Sequence, residues 1–392
     1  MDSKLTQPRS APLCAGPFTI KPVKSPDVII AGAGIIGVSI ALELRERGAD
    51  VLVFDRGEPG QESSSAAAGM LAPYDPETPE RLRPLARTSA ELFPAYVERL
   101  EALAQMRVDF RRQGTIAFLE GVPAPTEYRR LAPEEIQRIE PALQAGERPA
   151  FFVQEDCVDP ALLMQAALHA AAKSGIEVRG NCAVEQMRGR GADMEVVTAA
   201  GTLSAHTVVD CRGAWSGPPV RPRKGQMLYL DPSTRKPRVP GTLQPHRAGL
   251  LEHVINAFEV YLVPRSSGKI LVGATVEDVG FDKTVEPDVI ASLHRAAAAL
   301  VPELAAAQVV ESWAGLRPGS PDDLPLLGET ETRGAFIATG HFRNGILLAP
   351  VTARIIADLV MGKPAGLDIS AFSPSRFAAA GAPATYFQPG QC

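Results

Sequence analysis

Three glycines have the spacing that most plainly serves chemistry. Gly32, Gly34 and Gly37 spell G-x-G-x-x-G directly after a short, largely apolar run at residues 27 to 31. The first glycine permits a tight strand-to-helix turn, the second lets the backbone approach a pyrophosphate, and the third lets the helix pack closely on the strand. The N–H groups of the helix start, around Ile35 and Ile36, would then face the phosphates. Asp55 closes a second apolar run 23 residues after Gly32, where an acid accepts hydrogen bonds from a ribose 2′-OH. After Arg56 the chain turns to small residues: Ser63, Ser64, Ser65, Ala67, Ala68 and Gly69, then Met70 and Leu71. Such a run is either a flexible surface loop or backbone lying against a bulky planar ligand. The embedded Ala-Ala-Ala-Gly-Met-Leu is too apolar for the first, which favours cofactor contact. No Ser/His/Asp set, no carboxylate pair in register and no Cys/His metal spacing accompanies these motifs. The reaction is therefore left to a cofactor.

The elements that must position these residues follow from periodicity and breakers. A helix follows Gly37 and is closed by Gly48, and a strand follows at residues 50 to 55. Residues 76 to 110 have helical apolar spacing, with Pro79, Pro84 and Pro94 as breakers. Asp159-Pro160 opens an amphipathic helix through residue 172, and residues 184 to 197 read as a hairpin. The run at residues 207 to 217 reads as a buried strand ending in glycine, with Gly213 a second place for close backbone approach at a strand's carboxyl end. Residues 221 to 312 change to short strands with turns, the pattern of an antiparallel sheet. A strand at 335 to 339, Gly340 and a helix at 351 to 361 then form a second strand, glycine and helix unit, which would direct another positive helix end at the ligand.

The expected fold is α/β: a doubly wound, Rossmann-like nucleotide domain with a second domain on a largely antiparallel sheet. The divisions are a loose arm at 1–26, a discontinuous nucleotide domain at 27–80, 154–220 and 313–368, a substrate domain at 81–153 and 221–312, and a loose tail at 373–392. At 392 residues two domains are expected. A net charge of −5 offers no basic footprint for nucleic acid. No apolar stretch of about 18 residues is present, so no membrane span is expected. The N-terminus lacks a secretory h-region, and the five cysteines show no paired spacing. These features point to reduced thiols in a cytoplasmic protein.

Several segments occurring in one order are more specific: Ser65-Ala-Ala-Ala-Gly-Met-Leu-Ala-Pro, Arg223-Lys-Gly-Gln, Tyr261-Leu-Val-Pro, Gly273-Ala-Thr-Val-Glu, Trp313-Ala-Gly-Leu-Arg-Pro-Gly and Gly340-His-Phe-Arg-Asn-Gly-Ile-Leu-Leu-Ala-Pro. From about residue 28 to residue 361 the chain resembles the FAD-dependent amine oxidases of the D-amino-acid oxidase family, within it most the glycine oxidases of thiamine biosynthesis. The resemblance implies non-covalent FAD in an extended form, its pyrophosphate on residues 32 to 37 and its adenosine ribose on Asp55. Flavin contacts would come from residues 67 to 71 and from His341, Arg343, Asn344, Gly345, Ile346 and Leu347, with Val184 and Trp215 as further cofactor contacts. The substrate is implied to be a small amino acid whose carboxylate meets Arg317 and Tyr261; a guanidinium's parallel N–H bonds suit a planar carboxylate. Arg343 could bind the carboxylate, balance charge near the flavin, or tie its loop. Met70 could line the pocket or only pack. Related enzymes have a histidine where this chain has Glu259, which leaves fine selectivity open.

The implied reaction moves a hydride from the substrate Cα to flavin N5, with O2 restoring the oxidised cofactor as H2O2. The imine hydrolyses to a 2-oxo acid and ammonia, glyoxylate in the case of glycine, or serves the thiazole of thiamine. The resemblance also implies a homo-oligomer. Two other readings stand beside it: a D-amino-acid dehydrogenase feeding a quinone, and a non-catalytic FAD scaffold.

Overall fold

The computed structural model describes residues 25–377 apart from 120, 122, 235–248 and 258. Most of the expected arm and of the expected tail lie outside the described residues, as do Cys14 and Cys392. The apolar runs at residues 28–31 and 51–54 are buried along their length, and the strand at 207–210 is buried from Val208 on, the pattern of strands covered on both faces. They form one six-stranded sheet in the order Leu326–Glu329, Ala335–Thr339, Thr207–Asp210, Val28–Ala31, Val51–Phe54, Glu177–Arg179. All neighbours are parallel except the Leu326–Glu329 edge. On one face lie the helices Ile35–Glu46, Arg83–Ala104, Pro160–Lys173 and Gly345–Val360, sharing a core that includes Ile40, Leu44, Phe93, Ala170 and Ile356. On the other, the three-stranded meander Val184–Arg190, Asp193–Thr198, Gly201–Ala205 packs Met187, Met194 and Val196 onto Ile29, Leu52 and Val208.

The change of character after residue 221 is a second sheet of eight strands, antiparallel except where Val254–Asn256 meets Thr115–Phe118. Its long edge pairs Arg221–Asp231 with Gln308–Gly319. Alternation divides its two faces. Leu228, Leu262 and Val272 join the core covered by the helix Pro287–Leu300, while Met227, Val263 and Leu271 turn toward Ala68 and Met70 of the small-residue run. The sheet therefore presents one face to the nucleotide-binding layer.

Several local expectations meet a different outcome. Pro94 lies inside the single helix Arg83–Ala104, and Pro350 lies inside Gly345–Val360, which begins six residues before the expected start at 351. An interior proline costs roughly 3 kcal/mol. Burial of large apolar side chains, at roughly 1.5–3 kcal/mol each, outweighs it: Phe93, Val97 and Leu100 in one helix, Ile346, Leu347 and Ile355 in the other. The same burial places Arg83–Ala104 in the core of the nucleotide sheet, although residues 81–153 were expected with the other sheet. The strand Gln308–Gly319 runs unbroken across the expected boundary at 313. Among the described residues no helix is long and apolar enough to cross a membrane.

Candidate functional site

The glycine motif sits where its chemistry requires. Gly32 follows the strand Val28–Ala31 with φ of +107°, and a Cβ there would lie 2.3 Å from the Cys211 carbonyl oxygen. A Cβ on Gly37 would lie 1.9 Å from the Gly32 carbonyl oxygen, so only glycine lets the helix rest on the turn. The Ile35 N–H at the helix start donates to Ser64 Oγ at 2.9 Å, which joins the turn to the small-residue run. Asp55 accepts from Ala33 N–H at 2.7 Å and Gly57 N–H at 2.9 Å, and burial raises its pKa above the ordinary carboxylate value. Beside it, the Arg56 guanidinium stacks 3.9 Å over the Trp215 ring. Behind the next strand, Asp210 is fully buried and pairs with Arg212 at 2.8 Å, which shapes the turn into Gly213.

The carboxyl ends of the parallel strands open into one cavity of about 660 Å3 that runs on to the face of the second sheet. Its wall includes every residue singled out from the sequence except four. Gly37 serves packing, Ser65 donates to the Gly60 carbonyl, and Leu71 and Leu347 are core. Those four lie outside the cavity wall, Gly37 in the packing role its spacing implied and the others through alternation or helical rotation at one residue. Met70 both lines the cavity and packs with Met227 and Tyr261. Reasoning from motifs missed Met227, Asn256, Arg212, Glu77, Ala183 and Glu185. Period-two spacing from Tyr261 across the paired strands is a signal that finds Met227, since both are in register with Gly273.

At the far end the second sheet brings Arg317 and Tyr261 together from strands distant in sequence. Arg317 Nη1 donates to the Thr275 carbonyl at 3.0 Å. Its head lies over Gly225, where a Cβ would be 2.2 Å from Nη1. A Cβ on Gly273 would likewise lie 2.7 Å from the Tyr261 hydroxyl. Two glycines on neighbouring strands thus clear the floor for two large polar side chains. Burial holds the Arg317 guanidinium below its ordinary value, opposed by Tyr261; burial raises the Tyr261 phenol, opposed by Arg317. Arg343 is exposed at the cavity rim and paired with Glu77. Glu259 is exposed at the same cavity. His341 is buried, with Nε2 3.1 Å from Thr352 Oγ1, and burial lowers its pKa to about 3, so it stays neutral at ordinary pH. Among the described residues no group of three or more His, Cys, Asp or Glu is placed to hold a metal ion.

An elongated cavity with a glycine cradle at one end and a guanidinium and phenol at the other fits an extended dinucleotide with a small anion beyond it. Gly32, Gly34, Asp55, residues 67–70 and the start of the helix Gly345–Val360 are the groups that would hold FAD.

The chain is 34% identical over 371 residues to the glycine oxidase of Geobacillus kaustophilus, covering 89% of this chain and 97% of that protein. The crystal structure of glycine oxidase from Geobacillus kaustophilus superposes with a TM-score of 0.81 at 33% identity, over 90% of this chain and 99% of that one. The bifunctional protein ThiO/ThiG of Trichormus variabilis is 35% identical over 90% of this chain, and the chain spans about half, 55%, of that relative's length. The family model described as FAD dependent oxidoreductase (DAO) matches residues 27–359, and the chain therefore belongs to that family.

Proposed function

We propose that this chain is an FAD-dependent oxidase of small amino acids, with glycine, sarcosine and small D-amino acids as candidate substrates. The observation that carries the reading is the meeting of Arg317 and Tyr261 at one end of the cavity whose other end is the glycine cradle. Arg317 and the Tyr261 hydroxyl bind the substrate carboxylate, and that anchor orients Cα toward the strip at residues 67–70. FAD held there would supply the hydride acceptor for the Cα–H bond, with O2 as the final electron acceptor. The first N–H groups of the helix Gly345–Val360 stabilise negative charge at the cavity wall. Met70, Met227 and Val260 keep the pocket apolar and limit water. Neutral His341 takes no proton in this scheme.

The similarity to ThiO/ThiG supports a role in which the glycine imine feeds the thiazole of thiamine. A cytoplasmic homo-oligomer is the accompanying expectation. The deciding experiment mixes purified protein anaerobically with glycine, sarcosine and D-alanine while following the flavin band near ~450 nm. Bleaching reversed by air, with peroxide release, is expected, and relative rates rank the substrates. Bleaching that air does not reverse but a quinone does would move the assignment to a dehydrogenase. A flavin untouched by any of them would leave a scaffold role.

A further inference from the structure

Arg265 follows the strand Tyr261–Pro264 and opens the hairpin to Ile270–Gly273, where its N–H donates to the Lys269 carbonyl at 2.9 Å. It is 4% exposed. Its guanidinium donates through Nη2 to the Ala68 carbonyl at 2.7 Å and through Nη1 to the Val158 carbonyl at 3.1 Å. Those carbonyls belong to two segments pressed together at Gly69: Val158 N–H donates to the Gly69 carbonyl at 2.9 Å, and a Cβ on Gly69 would lie 1.9 Å from the Val158 oxygen. The Asp159 carboxylate stands 3.7 Å from Arg265 Nε, yet it also caps the helix Pro160–Lys173 through Ala161 and Leu162. A buried guanidinium whose closest partners are main-chain carbonyls is costly. A fork spanning two carbonyls gives what an apolar residue would not, a fixed distance between the Tyr261 strand and the small-residue strip.

We propose that Arg265 is a positioning residue. It holds the strip at residues 67–70 in place, and its charge, bonded to the Ala68 carbonyl, polarises the Ala68–Gly69 peptide in the cavity wall. The inference rests on the proposed reading that this strip faces FAD. It implies that Arg265 sets both the affinity for FAD and the electron affinity of the bound flavin.

The test uses the full chain with Arg265→Gln, Arg265→Lys and, as a neighbouring control, Ser266→Ala, whose side chain bonds Asp109. FAD affinity is read by fluorescence quenching on reconstitution, and flavin electron affinity by sulfite titration. Loss of charge-assisted bonds predicts that Arg265→Gln weakens both by about tenfold or more. Arg265→Lys should recover sulfite affinity more fully than FAD affinity, because it restores the charge without the fork. Ser266→Ala should match the parent protein. A folded Arg265→Gln protein with parental FAD and sulfite affinities would overturn the proposal. If that variant does not fold, parental FAD affinity in Arg265→Lys does so instead. A parent protein that binds no FAD would strike down the functional reading itself, a result separable from either.

Discussion

Arg317 is shaped by a side chain that is missing. Only glycine at 225 leaves room for the guanidinium, so the placing of Arg317, the proposed carboxylate anchor, depends on two strands at once. Arg317→Met should raise KM for glycine by about 10²-fold or more, since hydrogen bonds to charged groups are worth roughly 1.5–3 kcal/mol each. FAD content should be unchanged, and steady-state kinetics beside the flavin spectrum read both. Tyr261→Phe removes a single neutral donor and should cost about fivefold in kcat/KM, a net of roughly 1 kcal/mol. A different residue governs stability against pH. Glu155 is buried, accepts from Tyr74 N–H at 3.2 Å, and burial raises its pKa to about 8, with Asp75 and Asp156 adding to the rise. The native chain keeps a proton that the unfolded chain releases from its ordinary value of 4.5 upward. That contribution is complete below the unfolded value and is lost as pH rises through the folded one. Melting temperature should therefore fall between about pH 4.5 and pH 8, and fall less in Glu155→Gln, which keeps an acceptor for Tyr74. Equal slopes in the two proteins would remove Glu155 as the cause.

Among the elements, the glycine turn and its helix form one unit, because the Gly37 α-hydrogen side rests on the Gly32 carbonyl. Gly37→Ala should lift the helix Ile35–Glu46 from the strand and raise the FAD dissociation constant by about tenfold or more, as overpacking costs roughly 1–3 kcal/mol. Equilibrium binding to the apoprotein measures it. The helix Arg83–Ala104 makes the opposite case. Pro94 deprives it of an interior N–H, so Pro94→Ala should stabilise the chain by up to about 3 kcal/mol without changing FAD affinity. Chemical denaturation decides it, and no gain would mean that the surrounding core has settled on the proline geometry.

For the molecule as a whole, the cavity lies between two sheets, so a ligand filling it should couple them. Added FAD at about one hundred times its dissociation constant should raise stability by roughly 2.7 kcal/mol, seen as a rise of a few degrees in melting temperature. How much of this was legible in the sequence depends on distance along the chain. The nucleotide cradle was readable because turn, helix start and acid lie within one strand–helix–strand unit, where spacing alone dictates geometry. The strand, glycine and helix order near Gly340 was readable for the same reason, although Pro350 hid the true helix start until burial was seen to outweigh it. Arg317 and Tyr261 drew attention through motif resemblance, but their meeting was decided by sheet register, with Gly225 and Gly273 as the gaps that receive them. Arg343 paired with Glu77, and Arg265 bonded to Ala68, were invisible beforehand, since each contact joins segments roughly two hundred or more residues apart. Local sequence determines which backbone turns are open to the chain. Only the packing of one sheet against the other decides which distant side chains share a wall, because that choice is made by total buried surface and not by neighbours in sequence.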